Sequence, residues 1–401
     1  MDLMEYKAKE LFAAGGLPVQ KFAHIGEDIL ARGDAELVRA AAGLSYPVVV
    51  KAQVMTGGRG KAGGIKFAAN ETELVKRTRE IIGMNIKGHT VHSVMIAEKA
   101  EVVREFYLSV MLDRVTKGPV IIFSPLGGME IEQVAKDSPE MIFKTPVHPL
   151  GGIEAYHAAY LADKIRLVYP EFSAELQKEL TALLRNLYTL FLKNDCLLCE
   201  VNPLALCRKD GAEHLLALDG KVSIDDSAVK RQPWLAEYAA AMPKHPLSRE
   251  AESFGFLYIP CEEDGEIAVM SNGSGMLMSC IDLITKEGMR VRAVLDLGGG
   301  ATAERIQEAV RIILSDERTK YLFINIFGGI TRCDEVAGGI RRAYEAGHLT
   351  KPVILRFEGT NKARGLEIIS GIPGVAYADS LLEGVAVLCA EKNGSKGGVR
   401  E

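Results

Sequence analysis

Lys51-Ala52-Gln53-Val54-Met55-Thr56-Gly57-Gly58-Arg59-Gly60-Lys61-Ala62-Gly63-Gly64 lies between an apolar run, Tyr46-Pro47-Val48-Val49-Val50, and a second strand pattern at Ile65 to Ala68. Five glycines and three cations between two strands describe a hairpin suited to an anion. Glycine lets backbone N–H groups come close to a phosphate, and Lys51, Arg59 and Lys61 supply charge. The run is not a P-loop, because no G-x-x-x-x-G-K-[ST] pattern leads into a helix. Taken alone, it fits either an exposed basic hairpin or a loop that closes over phosphate. The rest of the chain has to decide.

A chain of 401 residues has room for two or three domains. Its 48% hydrophobic and 25% charged content is that of an ordinary globular protein. The net charge of -5 is spread without a basic block, so nucleic acid is not an expected partner. The acidic start, Met1-Asp2-Leu3-Met4-Glu5-Tyr6, lacks the apolar core of a signal peptide. No run approaches the roughly 18 apolar residues of a membrane span, so no membrane is expected. Seven scattered cysteines in apolar segments fit reduced thiols in a cytoplasmic or organelle-matrix protein. Cys196-Leu197-Leu198-Cys199 matches C-x-x-C, but it has no second pair at zinc-site spacing. Strand alternation would point its two thiols to opposite faces.

Along the chain, residues 1–14 predict an amphipathic helix with Leu3, Tyr6, Leu11 and Ala14 on its apolar face, ended by Gly15-Gly16. A second helix is expected at Ala35 to Ala42. Asn70-Glu71-Thr72-Glu73 reads as an N-cap with glutamate at N3, opening a helix to about Ile82. Strands follow at Ser93–Glu98, Glu105–Asp113 and Val120–Ser124, so that Glu98 ends one strand and Glu105 opens the next. Ser173 is placed to cap a long helix over Ala174–Lys193. Two strands then flank the turn signal Asp210-Gly211. If those two residues make the turn, Asn202 faces Asp219 and Glu200 faces Lys221, with Glu200 and Asn202 on one face. An amide oxygen opposite a carboxylate offers the oxygen ligands Mg²⁺ takes. An exposed polar hairpin face, with its register broken near Pro203, fits the same spacing.

Residues 224–260 are charged and alanine-rich, with the only tryptophan, Trp234, and Pro243 and Pro246; they read as a linker. Beyond them, strands at Ile267–Met270, Arg290–Leu297, Tyr321–Ile326 and Val353–Phe357 alternate with helical patterns. A short strand near Val375–Ala378 and a helix at about 380–392 close the chain. Such alternation predicts a parallel sheet with helices on both faces. Glycine-rich or polar turns follow the first four strands, at the edge where open α/β sheets bind ligands. Gly329-Ile330 is expected to open a helix whose N-terminus suits an anion.

With these segments in place, nearly the whole chain resembles the β subunits of succinyl-CoA synthetases, the ADP- or GDP-forming succinate–CoA ligases. The stretches that carry the resemblance are Glu5-Tyr6-Lys7-Ala8-Lys9-Glu10-Leu11-Phe12, Gly57-Gly-Arg-Gly-Lys-Ala-Gly-Gly64, Glu200-Val-Asn-Pro203, Asp219-Gly-Lys221, Asp296-Leu-Gly-Gly-Gly300 and Asn325-Ile-Phe-Gly-Gly-Ile330. The resemblance implies an ATP-grasp domain over residues 1–240, of two α+β lobes, then a flavodoxin-like, doubly wound CoA-ligase domain over 241–401. It implies a reversible ligase that takes a dicarboxylate, CoA and ATP or GTP through a phosphohistidine on an α subunit. By matching position, Lys51, Gly58, Arg59 and Gly60 contact nucleotide phosphates, and Glu98 and Glu105 lie around the nucleoside. Asn202 and Asp219 hold one Mg²⁺. Asn272, Gly329, Ile330 and Thr331 meet substrate and the phosphohistidine loop, and Glu200 assists the incoming histidine. None of the chain's own eight histidines matches that loop.

The chain departs from the family pattern in four places. The span from Glu98 to Glu105 is one residue shorter, and Ser271-Asn272-Gly273-Ser274-Gly275 replaces Val-Asn-Gly-Ala-Gly. Thr331 stands where valine is common, and the linker lacks the usual acidic run. The second and third leave the acid open to malate as well as succinate, and Gln20 leaves ATP and GTP both open. A carboxylate–amine type of ATP-grasp ligase would share the N-terminal half alone. A non-catalytic nucleotide-binding regulatory subunit would bind nucleotide without phosphoryl transfer.

Overall fold

The β-branched run ahead of the glycine stretch forms the strand Val48–Gln53, buried at every position. In this computed structural model, which describes residues 1–242 and 244–394, it lies inside the first of two compact units, Met1–Ala240 and Ala241–Glu401. Four strands make the first sheet, in the order Phe22–Ile25, Ser93–Glu98, Val48–Gln53, Ile65–Ala68, antiparallel throughout. Its core is aliphatic, built on Val48, Val50, Val94 and Ile96 with Leu74 and Ile81 of the covering helix Glu71–Ile81. That helix starts where the sequence places it: the Asn70 side chain accepts from the Glu73 N–H at 2.9 Å, and the Glu73 carboxylate accepts from Ala69. The predicted second helix runs Asp34–Ala40.

The second sheet of this unit is centred on the long strand Cys196–Lys209. That strand pairs with Glu101–Asp113, Ala212–Ala217 and Gly220–Ile224, all antiparallel. Glu200 is opposite Lys221 and Lys209 opposite Ala212, the register expected from an Asp210-Gly211 turn. Between these ladders the pairing lapses around Asn202-Pro203 and Leu218-Asp219, where the Leu218 N–H donates to the Pro203 carbonyl. The helix Ala174–Lys193 buries Leu176, Leu180, Leu183, Leu184 and Leu187, and the Ser173 hydroxyl caps its start by accepting from Leu176 at 3.2 Å.

One expectation fails on the long strand. The two thiols of Cys196-Leu197-Leu198-Cys199 are not on opposite faces: both are buried and in contact with one another. A register shift between Cys196 and Leu198 resets the alternation. Contact with Cys196 and burial push the Cys199 thiol well up, which keeps it unreactive.

In the second unit the parallel strands take the order Val291–Asp296, Ile267–Ser271, Tyr321–Gly328, Val353–Gly359, Val375–Tyr377. Counted along the chain this is 2-1-3-4-5, the flavodoxin-like order, with its switch point between Ile267–Ser271 and Tyr321–Gly328. Separate apolar clusters cover the two faces of this sheet. An antiparallel edge strand, Leu257–Pro260, joins Val291–Asp296.

That edge strand falls in the stretch expected to be a linker, and the stretch is folded. Helices Pro233–Ala241 and Pro246–Ser253 fill it, and Pro243 lies outside the described residues. Leu235 and Tyr238 are buried in the first unit, and Ala251, Phe256 and Tyr258 in the core of the second. The charged, alanine-rich composition reflects two short helices with one buried side each. No helix among the described residues is long and apolar enough to cross a membrane.

Candidate functional site

The first helix, Glu5–Ala14, is turned differently from its apolar pattern. It buries Glu5, Ala8, Lys9 and Phe12, at i, i+3, i+4 and i+7, and leaves Ala14 exposed. Two charges on the inner face of a helix need partners: the glycine-rich hairpin provides those of Glu5, and Gln20 and the Leu218 carbonyl those of Lys9. Lys51 Nζ is 2.8 Å from Glu5 Oε1, and Arg59 Nη1 is 2.6 Å from Glu5 Oε2. Arg59 Nη2 donates to Asp219 Oδ2 at 3.2 Å, and Lys51 Nζ lies 3.9 Å from the same oxygen. Lys9 and Lys51 both donate to the Leu218 carbonyl, at 3.3 and 3.2 Å.

These five groups fix one another's charge. Burial works against the Glu5 carboxylate, but Lys51, Arg59 and Lys9 outweigh it and hold its pKa well below the ordinary range. Burial and the neighbouring Lys51 pull Lys9 down to about 8, against Glu5 and Asp219. Burial and Glu5 push Asp219 up, against Lys51 and Arg59.

The hairpin closes on itself around this cluster. Ala52 N–H donates to Gly64 O at 2.7 Å, Gly64 N–H to Arg59 O at 2.9 Å, and Arg59 Nη1 to Ala52 O at 3.2 Å. Gly58 has φ +78°, a left-handed conformation that favours glycine, and a Cβ on Gly64 would press on Ile86 at 2.7 Å. Lys51, Arg59 and Asp219 are thus brought together. Glu5 and Lys9 were not singled out, and their signal was their i, i+4 spacing on the face that carries Ala8 and Phe12.

Glu98 and Glu105 lie in different sheets of the unit. Glu98 Oε1 accepts from the Ser45 N–H at 2.9 Å, and its carbonyl accepts from Gln20 Nε2 at 3.2 Å. The Gln20 side-chain oxygen accepts in turn from Lys9 at 2.6 Å, which links Glu98 to the charge cluster. Glu105 is exposed and stands over the turn Gly127-Gly128.

Asn202 binds that same turn. Its Oδ1 accepts from Gly128 N–H and its Nδ2 donates to the Met129 carbonyl, both at 3.0 Å. The ladders on either side keep the expected register, but Asn202 and Asp219 fall in the gap between them, and each already has protein partners, Gly128 and Met129 for one, Arg59 and its own loop for the other. Among the described residues no cluster of three or more His, Cys, Asp or Glu could hold a metal ion. Glu200 lies close by on the long strand and accepts from the Tyr107 hydroxyl at 3.1 Å. Burial raises its pKa, with Tyr107 and Lys221 pulling the other way.

In the second unit, the sequence-predicted residues meet at the switch point. Asn272 staples its loop to the next: Nδ2 donates to Phe327 O at 2.9 Å, and Oδ1 accepts from Phe327 N–H at 3.0 Å. Ile330 is 84% exposed while Thr331 is 1% exposed. The Thr331 hydroxyl donates to Gly298 O and accepts from Gly300 N–H, each at 3.1 Å. The helix expected to open at Gly329-Ile330 starts later, at Cys333, with Arg332 as its N-cap. Asp334 and Glu335 fill its first turn, so the anion expected there would meet two carboxylates. Gly329 and Ile330 form the exposed loop ahead of it.

Comparison with known proteins gives a consistent result over both units. A family model described as an ATP-grasp domain matches residues 2–206, and one described as a CoA-ligase matches residues 270–370. The succinate–CoA ligase [ADP-forming] β subunit of Desulforapulum autotrophicum is 43% identical over 378 residues, covering 92% of this chain and 94% of that one. The [GDP-forming] β subunit of Thermus thermophilus is 39% identical, covering 97% and 98%. A solved ATP citrate lyase from Methanothrix soehngenii, in complex with citrate and coenzyme A, has a TM-score of 0.74 at 18% identity and covers 97% and 99%, a likeness of fold.

Proposed function

The chain belongs to the family of succinate–CoA ligase β subunits, and from that premise we propose how its residues divide the work. Residues 1–240 bind ATP or GTP and start phosphoryl transfer. Residues 241–401 serve the acid and the phosphohistidine loop of a partner α subunit, which carries the histidine and binds CoA. The reaction joins a dicarboxylate to CoA with release of nucleoside diphosphate and phosphate, and it runs in both directions.

The observation that carries this reading is the convergence of Lys51 and Arg59, from the glycine-rich hairpin, on Asp219. The buried Lys51 and largely covered Arg59, beside glycine N–H groups at Gly58 and Gly60, form a cradle for a polyphosphate. Glu98, held by Ser45 and Gln20, and Glu105 flank the nucleoside. Asn202 and Asp219 fit Mg²⁺ by the chemistry of their donors: an amide oxygen and a carboxylate are hard oxygen ligands, and Mg²⁺ in nucleotide sites takes few protein ligands and completes its shell from phosphate and water. Bound there, the ion would neutralise phosphate charge. Glu200, with its raised pKa, is a group that can take and return the proton of the incoming histidine.

Succinate is favoured over malate by one observation. Thr331 is 1% exposed, with its hydroxyl turned to Gly298 and Gly300, so burial keeps that hydroxyl from a hydroxy acid. Asn272, Gly329 and Ile330 are the remaining acid-side contacts. Seven cysteines free of disulfides fit a reducing compartment, the cytoplasm or an organelle matrix.

The test is co-expression with an α-type chain and assay over a panel of dicarboxylic acids. Acyl-CoA formation is expected with succinate, only in the presence of the α chain. Turnover by the chain alone, or preference for malate, would overturn the assignment.

A further inference from the structure

Arg59 is assigned above to the nucleotide phosphates, yet its guanidinium is engaged within the chain. One arm lies 2.6 Å from Glu5 and the other donates to Asp219 at 3.2 Å. Its side chain is 13% exposed and that of Glu5 is 2% exposed, so the clamp is largely desolvated. The Asp219 oxygen that Arg59 occupies is the one 3.9 Å from Lys51, and the other Asp219 oxygen accepts from the Gly220 N–H at 2.7 Å. A divalent ion approaching this carboxylate meets Arg59 and Lys51 first. Glu5 and Asp219 together carry one charge fewer than Lys9, Lys51 and Arg59, so the cluster also repels a cation.

We propose that Arg59 is a placeholder for the divalent cation: held by Glu5, it occupies the Asp219 carboxylate until nucleotide phosphates draw it away. In this account Glu5 is a positioning residue, the fixed arm that keeps Arg59 over Asp219. Metal and nucleotide then enter together. A phosphate group offers Arg59 a stronger, bidentate partner, and the same movement that binds phosphate uncovers the carboxylate for the ion. The proposal rests on the reading of Asp219 as a metal ligand.

The experiment is Mn²⁺ binding to the full-length chain without nucleotide, read by electron paramagnetic resonance of the free ion. Wild type is expected to bind weakly. Arg59→Gln is expected to bind more tightly by about tenfold or more, the order of effect of releasing one charge-assisted hydrogen bond. Arg59→Lys, which keeps the charge but not the reach to both carboxylates, is expected to gain less. Adding Asp219→Asn to Arg59→Gln should remove the gain. A folded Arg59→Gln protein, checked by its thermal melt, that binds Mn²⁺ no more tightly than wild type overturns the placeholder. Mn²⁺–ADP binding to Asp219→Asn separates the two failures. If that binding is weakened, only the placeholder has failed; if it is unchanged, Asp219 is not a ligand and both readings fall.

Discussion

The two units build their loop sites by opposite means. In the N-terminal unit, Glu5, Lys51, Arg59 and Asp219 hold the hairpin by buried ion pairs, and each group's charge depends on the others. In the C-terminal unit, the bonds that join Asn272 to Phe327, and Thr331 to Gly298 and Gly300, are neutral hydrogen bonds. An ion-pair site can exchange internal partners for ligand charges, as a phosphate or a metal ion arrives. A neutral staple has no such exchange to make, so it fixes loop shape before the ligand comes. The first kind of site suits a charged nucleotide, and the second a small acid that must be oriented.

Substitutions should separate the two. Asp219→Ala is expected to have the largest effect, a loss of about a thousandfold or more in nucleotide-dependent phosphorylation of the α chain, because phosphoryl transfer relies on charge neutralisation. Rapid-quench assay with labelled nucleotide reads it directly, and phosphorylation at the wild-type rate would remove Asp219 from the site.

Glu5→Gln comes next. It strips the shared counter-ion from Lys51 and Arg59, and breaking a buried pair from one side costs about 3–5 kcal/mol. The pH dependence has a definite sign. The Glu5 pKa is lowered to about 2 from 4.5, so its contribution is complete above 4.5 and is lost as pH falls towards 2. The stability gap between wild type and Glu5→Gln, from urea denaturation, should therefore be widest near neutrality and narrow with acid. A gap independent of pH would mean that Glu5 acts by packing alone.

Asn272→Ala removes both bonds to Phe327, and the acid's KM is expected to rise by about ten- to a hundredfold while the nucleotide's KM holds. The smallest effect is expected from Thr331→Val, which leaves the Gly300 N–H without its partner at a cost of about 1–2 kcal/mol and little change in choice of acid. A marked shift in acid preference would show that the hydroxyl reaches substrate after all.

The fold was legible where local patterns and global packing agree. The strand Ser93–Glu98 and the helix Ala174–Lys193 are bounded as their patterns indicate, and Glu200 pairs with Lys221 as the Asp210-Gly211 turn dictates. The placement of candidate-site residues was legible on those elements, Glu98 at its strand's end and Glu200 opposite Lys221. It was hidden where a tertiary partner decides. Glu5 and Lys9 look solvent-facing until the cations and carboxylate that bury them are known, and no propensity reveals that the first helix turns its charges inward. The register shift after Cys196 leaves no residue signature, so the faces of the two thiols were misjudged. The folded segment near Trp234 was obscured because short helices with one buried side each resemble a connector in composition.

The central claim is that the glycine-rich hairpin and its arginine serve the nucleotide and not the acid. Steady-state kinetics of Arg59→Ala, in complex with the α chain, tests it most directly. The nucleotide's KM is expected to rise by about a hundredfold, the order of losing a bidentate phosphate contact, with the acid's KM unchanged. Equal rises in both would contradict it.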